Sequence, residues 1–266
     1  MSTAETLLEV EDLVTRYPVP RGFVGAIRRE PKLQVHAVEG VTFNVAPGEM
    51  LALVGESGCG KTTTAQSVVR MVENDSGSIR FRGQELSGLG PSDMRPLRKD
   101  IQMIYQDPYE SLDPRFSVRD TIEEPLLIHG VKTSGEDREA KVREAMERAG
   151  LTPPDLYIER YPHELSGGQR QRVVIAGALV LEPQVLIADE PVASLDASVR
   201  GEILSLRLRL RDDLGLAALV VTHDLGLAWN IADRLAVMYL GRIVEVGTPE
   251  QVFASPRHPY TRALMS

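Results

Sequence analysis

The stretch "LALVGESGCGKTTTA", residues 51–65, runs from an apolar segment into a glycine-rich turn and then into Lys-Thr-Thr-Thr, a segment able to open a helix. Within it, Gly55-Glu56-Ser57-Gly58-Cys59-Gly60-Lys61-Thr62 has the spacing G-x-x-x-x-G-K-[ST] between an apolar strand and a helix. Phosphate chemistry accounts for each part. Glycines let consecutive backbone N–H groups curl around a β-phosphate, and the helix N-terminus adds partial positive charge. Lys61 is placed to reach β- and γ-phosphate oxygens, and the Thr62 hydroxyl to take a position on Mg²⁺. Cys59 occupies a free position of the pattern and reads as a small space-filler. Gly55 through Thr63 is therefore the expected phosphate-contacting run.

Outward from this loop, "MLALVG" (50–55), "VLIAD" (185–189) and "LVVTH" (219–223) are short continuous apolar runs, the pattern of strands buried on both faces of a parallel sheet. Each ends in a polar residue or glycine at the edge where open α/β sheets bind ligands. "VLIADEP" supplies two acids there. Asp189 can hold Mg²⁺ and Glu190 can polarise an attacking water; such acids otherwise simply solvate a turn.

Other segments read differently. "LLEVEDLVTRY" (7–17), "HAVEGVTFNV" (36–45) and "GSIRFRG" (77–83) alternate as half-buried antiparallel strands do, and 18–32, with three prolines, reads as an exposed loop. "SVRDTIEEPLLIHG" and "SGEDREAKVREAMERAGL" read as helices, the second with Glu139–Arg143 and Glu144–Arg148 at i,i+4 spacing. Residues 205–213 fit a helical face better than a strand.

The chain has 266 residues, 42% hydrophobic and 26% charged, with a formal net charge of −8. That length can bury a sizeable core, and the acidic balance disfavours nucleic acid as a partner. One cysteine allows neither an internal disulfide nor a cysteine-based metal cluster. The first residues carry acids where a secretory signal carries bases. The longest apolar runs fall short of the ~20 residues of a spanning helix, so work at a membrane would require docking on another protein.

"ELSGGQRQR", 164–172, carries two readings. Ser166-x-x-Gln169 before an apolar run is a helix capping box. Gly167-Gly168 in the first turn costs about 1 kcal/mol per glycine relative to alanine, and an anion site at a bare helix N-terminus would give that cost a purpose. With the phosphate loop, "LSGGQ" (165–169), "VLIADE" (185–190), Gln106 and His223 in this order, the chain resembles ABC-type ATPase subunits over nearly its whole length. The resemblance implies an α/β fold: a P-loop NTPase core with an antiparallel β subdomain and an α-helical signature subdomain. It implies divisions at 1–106 (core with β subdomain), 107–174 (helical), 175–248 (rest of the core) and 249–266 (start of a C-terminal extension).

It also implies ATP hydrolysis with Mg²⁺, two subunits clamping two ATPs head to tail, and Ser166, Gly167, Gly168 and Gln169 of one facing the γ-phosphate held by the other. Gln106 then resembles the glutamine that contacts Mg²⁺ and the attacking water, His223 the switch histidine, Tyr17 the aromatic that stacks on adenine, and Asp196 the aspartate of the loop joining the two sites. "DEPVASLD" departs from the commoner Ser-Ala order by reading Ala193-Ser194, so a hydroxyl contact at the first position is not expected.

"MIYQDPYESLDPRFSV" (103–118) and the ending "MYLGRIVEVGTPEQVFASPRHPYTRALMS" are similar to the second ATPase of oligopeptide and dipeptide importers. Relatives of that branch serve nickel or oligosaccharides. The implied partners are a second ATPase subunit, as heterodimer or homodimer, two transmembrane permeases and, indirectly, an extracytoplasmic solute-binding protein, at the cytoplasmic face of the cell membrane. Branch members usually continue through a cysteine-bearing tail; without such cysteines an iron–sulfur site is not expected here. Asp-Pro pairs make "DPYESLDPR" a structured loop; its closeness to Gln106 suggests a permease-docking groove involving Tyr109 and Leu112. A nucleic-acid-linked ABC ATPase is the alternative of a different class.

Overall fold

The computed structural model describes residues 6–19, 33–105, 111–190 and 215–265. The two alternating segments pair as β1 (Leu8–Pro18) and β2 (Gln34–Val45) and, with β4 (Ser76–Phe81) and β5 (Gln84–Glu85), form an antiparallel sheet in the order β2-β1-β4-β5. The continuous apolar runs become β3 (Met50–Val54), β7 (Val185–Asp189) and β8 (Ala217–Thr222). With β6 (Ile101–Ile104), β9 (Arg234–Tyr239) and β10 (Arg242–Gly247) they build a six-stranded sheet, β10-β9-β3-β8-β7-β6, parallel except for β10.

Period-two alternation sends the side chains of these apolar runs to two different layers. Leu51 and Leu53 of β3, Leu219 and Val221 of β8, and Val185 and Ile187 of β7 pack toward the antiparallel sheet and toward α1 (Lys61–Val68) and α2 (Pro91–Leu97), in a core shared with Leu8, Val10, Ile79, Phe81 and Met94. The other face is covered twice. Met50, Leu186, Ala218 and Val220 join the core of α3 (Val118–Ile128), α4 (Gly135–Arg148) and α5 (Gly167–Leu179), while Ala52, Val54, Leu235 and Val237 meet α6 (Leu225–Ile231), α7 (Pro249–Ala254) and α8 (Pro259–Leu264). Strands covered on both sides need no polar alternation, which is why their sequences run apolar without interruption.

Both predicted helices of the 107–174 stretch form. Serines cap them: Ser117 accepts from the amide of Asp120, and Ser134 from that of Asp137. The predicted ion pairs along α4 are present, Glu139–Arg143 at 2.7 Å and Glu144–Arg148 at 2.5 Å, each worth a few tenths of a kcal/mol at an exposed helix face. Leu112 is buried in the helical core, so a substitution there disturbs packing and does not probe a docking surface; Tyr109 lies outside the described residues, as do the 205–213 segment and most of the proline-rich loop. The strands β6, β9 and β10 were not singled out from the sequence, although "RLAVMY" is as apolar as the runs that were.

Leu53 is fully buried between the two sheets and Leu127 is exposed on α3. Leu53→Ala is expected to lower unfolding stability by about 2–5 kcal/mol through transfer and cavity terms, and Leu127→Ala by about 0.5 kcal/mol or less; chemical denaturation followed by circular dichroism measures both.

Candidate functional site

Parallel register brings the carboxyl ends of β3, β8 and β7 side by side, Val54 opposite Thr222 and Asp189 opposite Val221. The Gly55–Thr62 loop leaves β3 at this edge and feeds directly into α1. The loop is pressed between two backbones: a Cβ on Gly55 would sit 2.2 Å from the Met238 carbonyl oxygen, and one on Gly60 2.1 Å from that of Ala37. Gly60, at φ 108°, is also the N-cap of α1, and no side chain caps that helix end. Its first amides are left to face the loop, with the positive end of the helix dipole behind them.

Lys61 lies over the loop and is 4% exposed. Its ammonium donates to the carbonyls of Gly55 and Glu56, both at 2.8 Å, so it is held at the centre of the turn and not on the surface. Burial pushes the Cys59 thiol up, keeping it protonated, in accord with a packing role. The loop borders a cleft of about 440 Å³ lined by Ser57, Gly58, Gly60, Lys61, Thr62, Thr63 and Glu190. The remaining walls were not read from the sequence: Val35, His36 and Ala37 of β2, and Leu240 and Gly241 of the β9–β10 turn. Leu240-Gly241 has positive φ at both residues, as a two-residue hairpin turn requires, and that dipeptide between two apolar runs was the available signal.

At the end of β7 the Thr62 hydroxyl donates to Asp189 Oδ1 at 3.2 Å. Burial pushes the Asp189 carboxyl up; the Thr62 hydrogen bond opposes this, the neighbouring Glu190 charge adds to it, and Lys61 offsets part. Two hard oxygen donors, one a buried carboxylate short of positive charge, suit a divalent cation that prefers oxygen and takes its other ligands from phosphates and water. Glu190 follows with φ 42°, a left-handed conformation costly for a residue with a Cβ. Its amide donates to the Val221 carbonyl at 2.9 Å, and its Oε1 lies 3.0 Å from Nδ1 of His223 at the end of β8. Glu190 thus lines the cleft, while His223, which pairs with it, is not one of the cleft-lining residues.

The other predicted residues fall elsewhere. Tyr17 is partly exposed and opposes Val35 across β1 and β2; its neighbour lines the cleft and Tyr17 itself does not. Ser166 caps α5, accepting from the Gln169 amide at 3.3 Å while Gln169 Oε1 accepts from the Ser166 amide at 2.9 Å. The capping box therefore exists, with Ser166 exposed and outside the cleft of its own chain. Gln106 and Asp196 lie outside the described residues.

The Asp189 carboxyl is held above its ordinary value, so its ionisation opposes folding at every pH above the unfolded carboxylate range, near 4. Asp189→Asn keeps an acceptor for Thr62 and is expected to raise stability without nucleotide at pH 7 by about 1 kcal/mol. The gain disappears below about pH 4, where the carboxyl is protonated in both states. Thermal unfolding across pH measures it.

The ABC transporter family profile matches residues 38–193. The chain is 51% identical over 262 residues to the glutathione import ATP-binding protein GsiA of Shigella boydii serotype 4 (strain Sb227) and to that of Escherichia coli (strain K12), covering 98% of this chain and 41% of each relative. It thus spans less than half the length of these relatives. Among solved structures it is similar to the ATP-binding cassette MJ0796, as a dimer in a post-hydrolysis state bound to ADP and Pi, with TM-score 0.79 and 25% identity over 91% of this chain and 99% of that one. It is also similar to cbiO1 from Clostridium perfringens, part of the transporter complex cbiONQ, with TM-score 0.79 and 30% identity over 94% of this chain and 92% of that one. The architecture is the ABC ATPase fold, and with its family profile, phosphate loop and signature segment in one chain, this protein belongs to the ABC transporter family.

Proposed function

We propose that this chain binds and hydrolyses ATP as the energising subunit of a membrane importer, with Mg²⁺ held by Thr62, Asp189 and Gln106. The observation that carries the reading is the convergence on one cleft of an uncapped helix N-terminus, a buried lysine and a strained glutamate. Loop amides and the α1 dipole bind the phosphates, and Lys61 exchanges its carbonyl partners for phosphate oxygens. The cation, when bound, neutralises charge building on those oxygens. Glu190 accepts a proton from, or orients, the attacking water, and His223 holds the carboxylate in place. Tyr17 supplies a face for the base.

The signature segment stands outside its own cleft. Its exposed Ser166 and the amides of Gly167 and Gly168 therefore complete the site of a second subunit, and Asp196 serves to couple the two sites. This explains the two glycines: side chains there would hinder approach to a phosphate across the interface. The partner subunit is a second ATPase, different or identical, and the pair docks on two permeases fed by an extracytoplasmic solute-binding protein. The described residues contain no helix long and apolar enough to cross a membrane, which suits a peripheral subunit at the cytoplasmic membrane face. The likeness to glutathione import proteins favours a small peptide as cargo, over the nickel and oligosaccharides of the wider branch.

Co-purification from native membranes tests the assembly: two permeases and a second ATPase are expected, and recovery only of soluble nucleic-acid proteins would overturn it. Glu190→Gln is expected to retain ATP binding and lose turnover by about 10²–10⁴-fold, measured by phosphate release. Gly168→Asp is expected to leave nucleotide binding in the chain's own cleft intact while abolishing turnover of the assembled pair. Lys61→Ala is expected to weaken nucleotide binding itself, read by equilibrium titration.

A further inference from the structure

The phosphate loop is held from a direction its motif does not specify. The amide of Glu56 donates to the hydroxyl oxygen of Tyr260 at 3.0 Å, across 204 residues of sequence. Tyr260 belongs to α8, in the "HPYTRAL" segment. We infer that Tyr260 is a positioning residue for nucleotide binding, fixing the first half of the phosphate loop through the Glu56 amide. This rests on the ATP reading above.

Three observations carry it. First, the backbone of Glu56 is engaged on both sides: its carbonyl accepts from Lys61 Nζ at 2.8 Å and from the Cys59 amide at 3.3 Å, and its amide is taken by Tyr260. When a phosphate draws the Lys61 ammonium away, the carbonyl loses its charged partner. The tyrosine bond does not involve the lysine and continues to fix the loop. Second, the ring is aimed. It stacks on Tyr239 of β9 with centroids 4.1 Å apart and planes at 27°, and Tyr260 packs against the layer formed by Val54, Leu235 and Val237. Tyr239 follows Met238, whose carbonyl faces Gly55, so one strand end supports both the glycine and the tyrosine.

Third, the segment bearing Tyr260 is tied down independently of the loop. Glu245 of β10 accepts from the amides of Arg257 and His258 at 2.9 and 3.0 Å. Burial alone would raise that carboxyl, but the two amides, with Thr261 and the Arg257 charge, together hold it below the usual carboxylate range. His258 caps α8 by accepting from the Tyr260 amide at 3.1 Å. Burial pushes the Tyr260 hydroxyl up, so the phenol stays protonated across the physiological range. The chain therefore reaches back from its last described helix to the first strong turn of its core, and a change in the seating of α8 is transmitted to the phosphate loop through one hydrogen bond.

Tyr260→Phe keeps the stack and removes only the hydroxyl. In the full chain, its expected effect is a weakening of Mg-ATP affinity by about three- to tenfold, because a loop no longer fixed in advance must be ordered when the phosphate binds. Amide exchange of the 51–60 peptide should speed up with no change in unfolding temperature. In the assembled transporter the KM for ATP should rise with kcat unchanged, as for an interaction made equally in ground and transition states. Unchanged affinity and exchange would overturn the assignment, as would a loss spread over the whole fold with a lower unfolding temperature. Failure of the unmodified protein to bind Mg-ATP would overturn the nucleotide reading itself, and this assignment with it.

Discussion

The site depends on two backbone contacts that admit no side chain. The turn after β3 is pressed against the Met238 carbonyl at Gly55 and the Ala37 carbonyl at Gly60. One contact comes from the parallel sheet and the other from the antiparallel sheet, so the loop is shaped where the two sheets meet. A Cβ at either position would push the loop away from one wall and unseat the helix that follows. The motif's glycines are thus required for close approach as much as for backbone conformation.

From that constraint follows the chemistry at the strand ends. In-register pairing of β3, β8 and β7 sets Thr62, Asp189, Glu190 and His223 around one edge. Asp189 carries a buried charge, and Glu190 a left-handed backbone held by its bond to Val221. Both cost stability in the isolated chain. Such costs persist when the surrounding sheet over-determines the geometry, and they concentrate where charge and orientation serve binding or catalysis.

At the N-terminus of α5 a local stabilising device is built from the same residues that the proposed clamp would use between subunits. Ser166 and Gln169 close a capping box, which offsets part of the propensity cost of the two glycines behind the cap. The bonds that hold the helix start are made within the chain, and the exposed serine and small residues leave the approach to that start open. Under the proposed clamp, the helix needs no rearrangement to meet a phosphate.

Much of this was legible in order and spacing. The loop from Gly55 to Thr62, the acids after "VLIA", the Ser166 cap and the i,i+4 pairs of α4 are local: each makes its bonds within a few residues or through a strand whose apolar run announces two-sided burial. The short edge strand Ile101–Ile104 was not legible, because four residues carry too little periodicity to separate from a loop. Val35, His36, Leu240 and Gly241 were missed as cleft walls because a wall is defined by what stands opposite. The sequence by itself determined the glycine-rich turn between an apolar strand and a helix, the paired acids after a buried strand and the capped glycine pair that opens α5. Only the tertiary structure decided that Glu190 meets His223, that Ser166 lies outside its own cleft and that Tyr260 reaches Glu56. Those contacts join positions far apart in the chain, and sheet register and layer packing, not spacing, set their distances.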